Sequence, residues 1–111
     1  MDGMQIRKLI LGAVLALPLS GFAQLPHFTL SIKNHRFEPG EITVPAGRRI
    51  RLVIENMDQT PEEFESQSLR VEKVIPGGSK GTVTIGPLKP GAYEFVGEFH
   101  ESSAKGTLHA K

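Results

Sequence analysis

Arg48-Arg-Ile-Arg-Leu-Val-Ile-Glu55 alternates in steps of two and sets Ile50, Leu52 and Ile54 on one face of an extended chain. That period belongs to a strand with one face in a core. Pro45-Ala46-Gly47 turns the chain into this strand, and Glu41–Val44 precedes it after a Pro39-Gly40 turn. Further upstream, His27–Lys33 (HFTLSIK) alternates in the same way, with Phe28, Leu30 and Ile32 facing Thr29, Ser31 and Lys33 across the pleat. Downstream, Pro76-Gly77-Gly78 leads into Thr82–Ile85. Pro87-Leu88-Lys89-Pro90-Gly91 turns into Ala92–Val96, where Tyr93 and Phe95 share a face, and Gly106–Ala110 closes the chain. Short strands separated by Gly/Pro turns at this spacing predict an all-β fold, a Greek-key β-sandwich or closed barrel.

One segment reads two ways. Thr60-Pro61-Glu62-Glu63 has the form of a helix capping box with proline at the first helical position. Phe64 and Leu69 are five apart, however, which is a poor stripe for a helix. Residues 61–70 are therefore expected to be a loop entering a short strand, with a helical turn as the alternative.

Composition narrows the chemistry. The 111 residues suit one domain, and 12 Gly with 8 Pro favour many short elements. The absence of cysteine excludes disulfides, zinc fingers, iron–sulfur clusters, thiol catalysis and a lipobox anchor. A formal charge of +1 and no basic stripe with interleaved aromatics argue against nucleic acid as a partner. The serines lack a base-and-orienter pattern, no glycine-rich loop opens a helix, and a chain this small has little room for a sugar cleft or another organic substrate.

Residues 1–23 read as a secretory signal peptide. Arg7 and Lys8 form its basic start, Leu9–Leu19 (LILGAVLALPL) its apolar run, and Gly21-Phe22-Ala23 its cleavage site ahead of Gln24. The apolar run is short for a membrane span and carries Pro18. With no twin arginine, the Sec route to the periplasm is expected. The mature domain is then Gln24–Lys111, in which basic and acidic side chains balance.

Acidic residues crowd at Glu62-Glu63-Phe64-Glu65 and at Glu98-Phe99-His100-Glu101. If both segments are extended, Glu63 and Glu65 share a face, as do Glu98 and His100, while Phe64 and Phe99 point into the core. Such a group repels itself without a cation, and oxygen ligands with one nitrogen suit iron, manganese, zinc or Cu(II) over Cu(I). The same spacing also fits solvated loop charges, with Glu63 as a helix cap and His100 as a hydrogen-bonded surface histidine. His27 and His109 read as ordinary surface histidines, and the role of His35, in a loop after the first strand, stays open.

Phe37–Gly47 with the strand ending at Asn56, and Gly91-Ala-Tyr-Glu-Phe-Val-Gly-Glu-Phe-His100, resemble the cupredoxin fold over the whole mature chain. Against the blue-copper pattern, Gly97 stands at the cysteine, Glu62 at the first histidine and a residue near Lys105 at the axial methionine, so only His100 matches. Without the thiolate a type 1 electron-transfer site is excluded. Thr60–Ser66, Glu72-Lys73, Ile85–Gly91 and Gly97–His100 are similar to the cysteine-free cupredoxins of bacterial iron uptake, the FtrB-type proteins and the N-terminal domain of EfeO-type proteins. That resemblance implies a periplasmic partner of a ferrous-iron permease and a companion iron-binding protein. It further implies binding of iron and/or copper, and at most an accessory role in Fe(II) oxidation. The matching metal positions are Glu63, Glu65, Glu98 and His100, with Glu62, Glu101 and His35 as weaker candidates. Two other readings remain: a metal-free docking module for a membrane transporter, and a periplasmic copper carrier. The carrier is disfavoured by the single mature methionine, Met57.

Overall fold

The computed structural model of the chain describes residues 24–111. The signal-peptide reading of 1–23 lies outside them. Among the described residues nine strands build the fold: β1 (His27–Lys33), β2 (Arg36–Glu38), β3 (Glu41–Val44), β4 (Ile50–Asn56), β5 (Glu62–Ser66), β6 (Val71–Ile75), β7 (Lys80–Ile85), β8 (Gly91–Val96) and β9 (Lys105–Ala110). A 3-10 turn, Glu98–His100, separates the last two. The expected all-β sandwich is present as two mixed sheets, ordered β2-β1-β4-β7 and β3-β9-β8-β5-β6. Parallel pairs β1/β4 and β3/β9 sit within otherwise antiparallel neighbours.

β4 is the spine of the first sheet. Its residues alternate strictly between buried and half-buried, and Ile50, Leu52 and Ile54 are sealed in the core with Leu30 and Ile32 of β1. The second sheet answers with Val44, Phe64, Phe95 and Leu108. Phe37, Phe64 and Phe95 form one aromatic knot, with centroids 4.9 Å apart for Phe37–Phe95 and 5.0 Å for Phe64–Phe95. Edge-to-face and tilted geometries of this kind add to the area they bury.

Two strands carry no alternation that marks them in the sequence. β2 is only three residues long, and Val71–Ile75 shows little alternation, with Glu72, Lys73 and Val74 all exposed. The 61–70 segment begins its strand at Glu62, and Gln67–Arg70 is the turn into β6. No helix forms there, because pairing Glu62–Ser66 with Val71–Ile75 places Phe64 in the aromatic knot, which a cap bond cannot match. β5 pairs with β6 along its whole length but meets β8 in register only at Glu65↔Val96.

The inward row of β4 ends in a polar residue, Asn56, which is buried. Its Nδ2 donates to the carbonyls of Thr60 (2.9 Å), Ile75 (3.0 Å) and Pro76 (3.2 Å), and its Oδ1 accepts from Asp58 N–H at 2.9 Å. One amide thus ties together the 57–61 loop and the β6–β7 turn. Gly77 lets these two backbones touch, since a Cβ there would collide with the Gln59 carbonyl. Removing the Asn56 side chain leaves buried carbonyls without donors. Asn56→Ala is expected to cost about 2–3 kcal/mol in a urea melt, with a loss below about 0.5 kcal/mol contradicting this role for the amide.

Candidate metal centre

Strand parity on β5 decides which carboxylate goes where. Glu62, Phe64 and Ser66 face inward, whereas Glu63 and Glu65 face the outer side. Glu62 is 0% exposed, at the end of the sandwich where the β1–β2 turn and the 3-10 turn converge. Its two oxygens are taken by two imidazoles: His35 Nδ1–H donates to Oε2 at 2.5 Å and His100 Nδ1–H to Oε1 at 3.1 Å. The rings are stacked, with centroids 3.6 Å apart and planes at 18°.

Both histidines are held from behind. Asn34 and His35 are the two central residues of the β1–β2 hairpin, both with left-handed φ (52° and 58°), the arrangement of a two-residue turn that usually carries glycine. The Asp58 carboxylate stabilises it by accepting from Asn34 N–H at 2.8 Å and His35 N–H at 3.0 Å. Burial pushes the Asp58 carboxyl up, but the His35 and Asn34 backbone bonds outweigh it and hold the group below its usual value. Ser103 Oγ–H donates to the His35 carbonyl at 2.7 Å, which links the hairpin to the segment carrying His100. His100 is fixed by its own N–H to Gly97 O at 2.9 Å and by Ala104 N–H to His100 O at 2.8 Å.

One ligand atom from each of His35, Glu62 and His100 lies within 4.8 Å of the others, close enough to share one ion. Two imidazoles and a carboxylate form a borderline N2O set suited to Cu(II), zinc or iron. Capture at the Nδ1 atoms would release their protons, so affinity should rise with pH.

On the outer side, Glu63, Glu65, Glu72 and Glu98 also bring ligand atoms within 4.8 Å of one another. Glu65 and Glu72 are directly opposite in the β5–β6 register, and Glu98 N–H donates to Glu63 Oε1 at 3.2 Å. Burial, then the charge of Glu98, pushes the Glu63 carboxyl up to about 7; it is 3% exposed. Burial, followed by the Glu98 and Glu72 charges, raises Glu65 as well. Oxygen donors alone suit a hard cation.

The expected set of Glu63, Glu65, Glu98 and His100 is therefore divided. The three acids gather on the outer side with Glu72, while His100 joins Glu62 and His35 at the sandwich end. The extended arrangement expected for Glu98–His100 is replaced by a 3-10 turn, which parts Glu98 from His100 and leaves Phe99 51% exposed instead of in the core. Glu101 is exposed beside a depression it shares with Glu65 and Glu94 and joins neither cluster. Glu72 was not among the sequence candidates, because its strand had no alternation to mark it. His109 donates from Nε2 to Glu41 at 2.8 Å on the exterior, as an ordinary surface histidine does.

The profile of the cupredoxin-like domain family matches residues 8–110. The chain belongs to this family. The cupredoxin-like chain is 44% identical over 79 residues to the uncharacterized protein RP394 of Rickettsia prowazekii (strain Madrid E), covering 71% of this chain and 63% of that protein. It thus spans less than two thirds of this relative. Its fold is similar to that of auracyanin A, a blue copper protein of Chloroflexus aurantiacus, with a TM-score of 0.68 at 13% identity over 79% of this chain and 100% of that one. Auracyanin of Roseiflexus castenholzii gives 0.64 at 14% identity, covering 80% and 99% of the two chains. Amicyanin of Paracoccus versutus gives 0.61 at 12%, covering 82% and 87%.

A blue-copper thiolate does not fit this member of the family. A Cβ at Gly97 would lie 2.8 Å from Ala104 Cβ and 3.1 Å from the Glu63 carbonyl, so the space a cysteine needs is already filled. Gly97→Cys is expected to overpack, lower stability by about 1–3 kcal/mol and give no intense visible band with Cu(II). A stable, strongly coloured variant would overturn that.

The outer acids generate a second expectation for the metal-free protein. A carboxyl raised in the fold contributes stability fully below its unfolded value, near 4.5, and loses it as pH rises through about 7. The melting temperature should therefore drop by several degrees between about pH 5 and about pH 8, and Glu63→Gln should flatten the drop. An unchanged pH profile in Glu63→Gln would place the effect elsewhere.

Proposed function

We propose that this cupredoxin-like domain is a metal-binding protein that holds one borderline cation, Cu(II) by its donor set, between His35, Glu62 and His100. What carries the reading is a fully buried carboxylate whose two oxygens are each met by one of two stacked imidazoles delivered by separate turns. Burying a carboxylate with no Lys or Arg against it is costly, and a cation there serves all three groups at once. Glu63, Glu65, Glu72 and Glu98 form a hard-donor group suited to iron as cargo. A Cu(II) ion held there would supply a one-electron acceptor, and the outer carboxylates would favour Fe(III) over Fe(II).

The finer role follows the sequence resemblance. The domain serves ferrous-iron uptake as a periplasmic protein exported by the Sec route, working with an iron permease and a companion iron-binding protein, and at most assists oxidation. Two features support it: the cysteine-free ligand set, and the oxygen-rich cluster on the reverse face of the same strand.

Gln24–Lys111 contains the nine described strands and the core they enclose. Its melting temperature with Cu(II), Zn(II), Fe(II), Fe(III) and Mn(II) tests the reading. Free ion at about 100 times its dissociation constant should add about 2.7 kcal/mol, several degrees here. His35→Ala and Glu62→Gln should abolish the Cu(II) shift, and Glu65→Gln only the Fe(III) shift. No shift with any ion in the wild type would overturn metal binding.

A further inference from the structure

Five cations, Arg48, Arg49, Arg51, Lys89 and Lys111, gather at the end of the sandwich opposite the histidines, all exposed except the half-buried Arg51. The backbone brings them there. Ala46 N–H donates to Lys111 O at 2.9 Å, Gly47 N–H to Leu88 O at 2.8 Å, and Arg51 N–H to Pro26 O at 2.9 Å. Arg51 is also in register with His27 of β1 and Thr84 of β7. Residues 24–27, 45–51, 85–91 and 110–111, which make up this end, include no Asp or Glu. Among the described residues no ion pair neutralises any of the five. A carboxylate at Lys111 would offset only one.

Charge in Gln24–Lys111 balances overall, so the cations at this end reflect segregation and not excess. Asp58, Glu62, Glu63, Glu98 and Glu101 lie toward the other end. Like-charge repulsion at a single blunt face is tolerated when solvent screens it, but it leaves a strong local field. Neither described cavity is lined by any of the five cations; both open beside β5. The cations are carried by separate segments around Pro87, Leu88 and Pro90 and stand out toward solvent, all but Arg51 exposed. That geometry matches an extended plane of negative charge.

We propose that this basic end seats the domain on an anionic phospholipid surface, leaving the histidine end facing away from the bilayer. The long Arg and Lys stems can lie against the apolar turn residues while their charged heads reach lipid phosphates. The acidic half is repelled by the same surface, which makes the contact oriented although the domain carries no net charge. In the precursor, β1 begins at this end a few residues after the apolar run Leu9–Leu19 closes.

The test is cosedimentation of Gln24–Lys111, which lacks that apolar run, with vesicles of phosphatidylcholine alone or mixed with phosphatidylglycerol. Binding is expected only with phosphatidylglycerol and should weaken as salt is raised. Each lost cation should weaken binding about fivefold, so Arg48→Glu/Arg49→Glu should weaken it by more than about 25-fold. Lys73→Glu/Lys80→Glu, with the same change in net charge on the other half, should change it less than about twofold. Equal losses in both double variants, or equal binding to both vesicle types, would overturn the proposal. So would wild-type protein that ignores vesicles but self-associates in sedimentation velocity through Arg48 and Arg49, since that would make a second copy's acidic end the occupant.

Discussion

Burial of the Glu62 carboxylate governs the architecture of the candidate site. A carboxyl group with no exposure and, among the described residues, no ion pair with Lys or Arg must be met by directed hydrogen bonds. Those bonds come from His35 and His100, residues 65 positions apart in the chain. Holding both rings at the correct height then requires the rest of the end: Asp58 under the hairpin, Ser103 bridging the two segments, and Asn56 fixing the loop that delivers Glu62. The aromatic knot of Phe37, Phe64 and Phe95 anchors β5 from below, so the carboxylate is presented by a strand that cannot rotate.

Much of the fold was legible because the strongest signals in the chain are period-two aliphatic runs. β4 and β1 declare themselves through Ile50, Leu52, Ile54, Leu30 and Ile32, and the Gly/Pro turns bound them. β2 and β6 were not legible for the opposite reason. One is too short to show a period, and the other is an edge strand with three consecutive exposed residues. An edge strand needs little burial of its own, so its sequence carries little pattern.

The site was legible in its residue types more than in its grouping. Glu62, Glu63, Glu65, Glu98, His100 and His35 were all candidates, but grouping them depended on backbone conformation at two places. Adjacent residues of a strand face opposite ways, which sends Glu62 and Glu63 to different sides of the sheet. The 3-10 turn at Glu98–His100 then assigns its acid to one side and its imidazole to the other. Nothing in Gly97-Glu-Phe-His100 distinguishes a short turn from two extended residues. Glu72 enters only through its register with Glu65, a tertiary fact.

Because β5 and β8 share a single registered pair, Glu65↔Val96, the β5–β6 hairpin is a flap with few ladder bonds to its own sheet, held mainly by the Phe64 and Ile75 side chains, the Ser66 Oγ–H bond to the Glu94 carbonyl at 2.6 Å and the Asn56 amide. Elements with few ladder bonds open at lower free energy than the core and exchange their amide hydrogens sooner. Both ligand clusters include residues of this flap together with residues of segments outside it. Any ion shared across that boundary acts as a further tie, so occupancy would be written into the breathing of the hairpin before it is seen in the average shape of the domain.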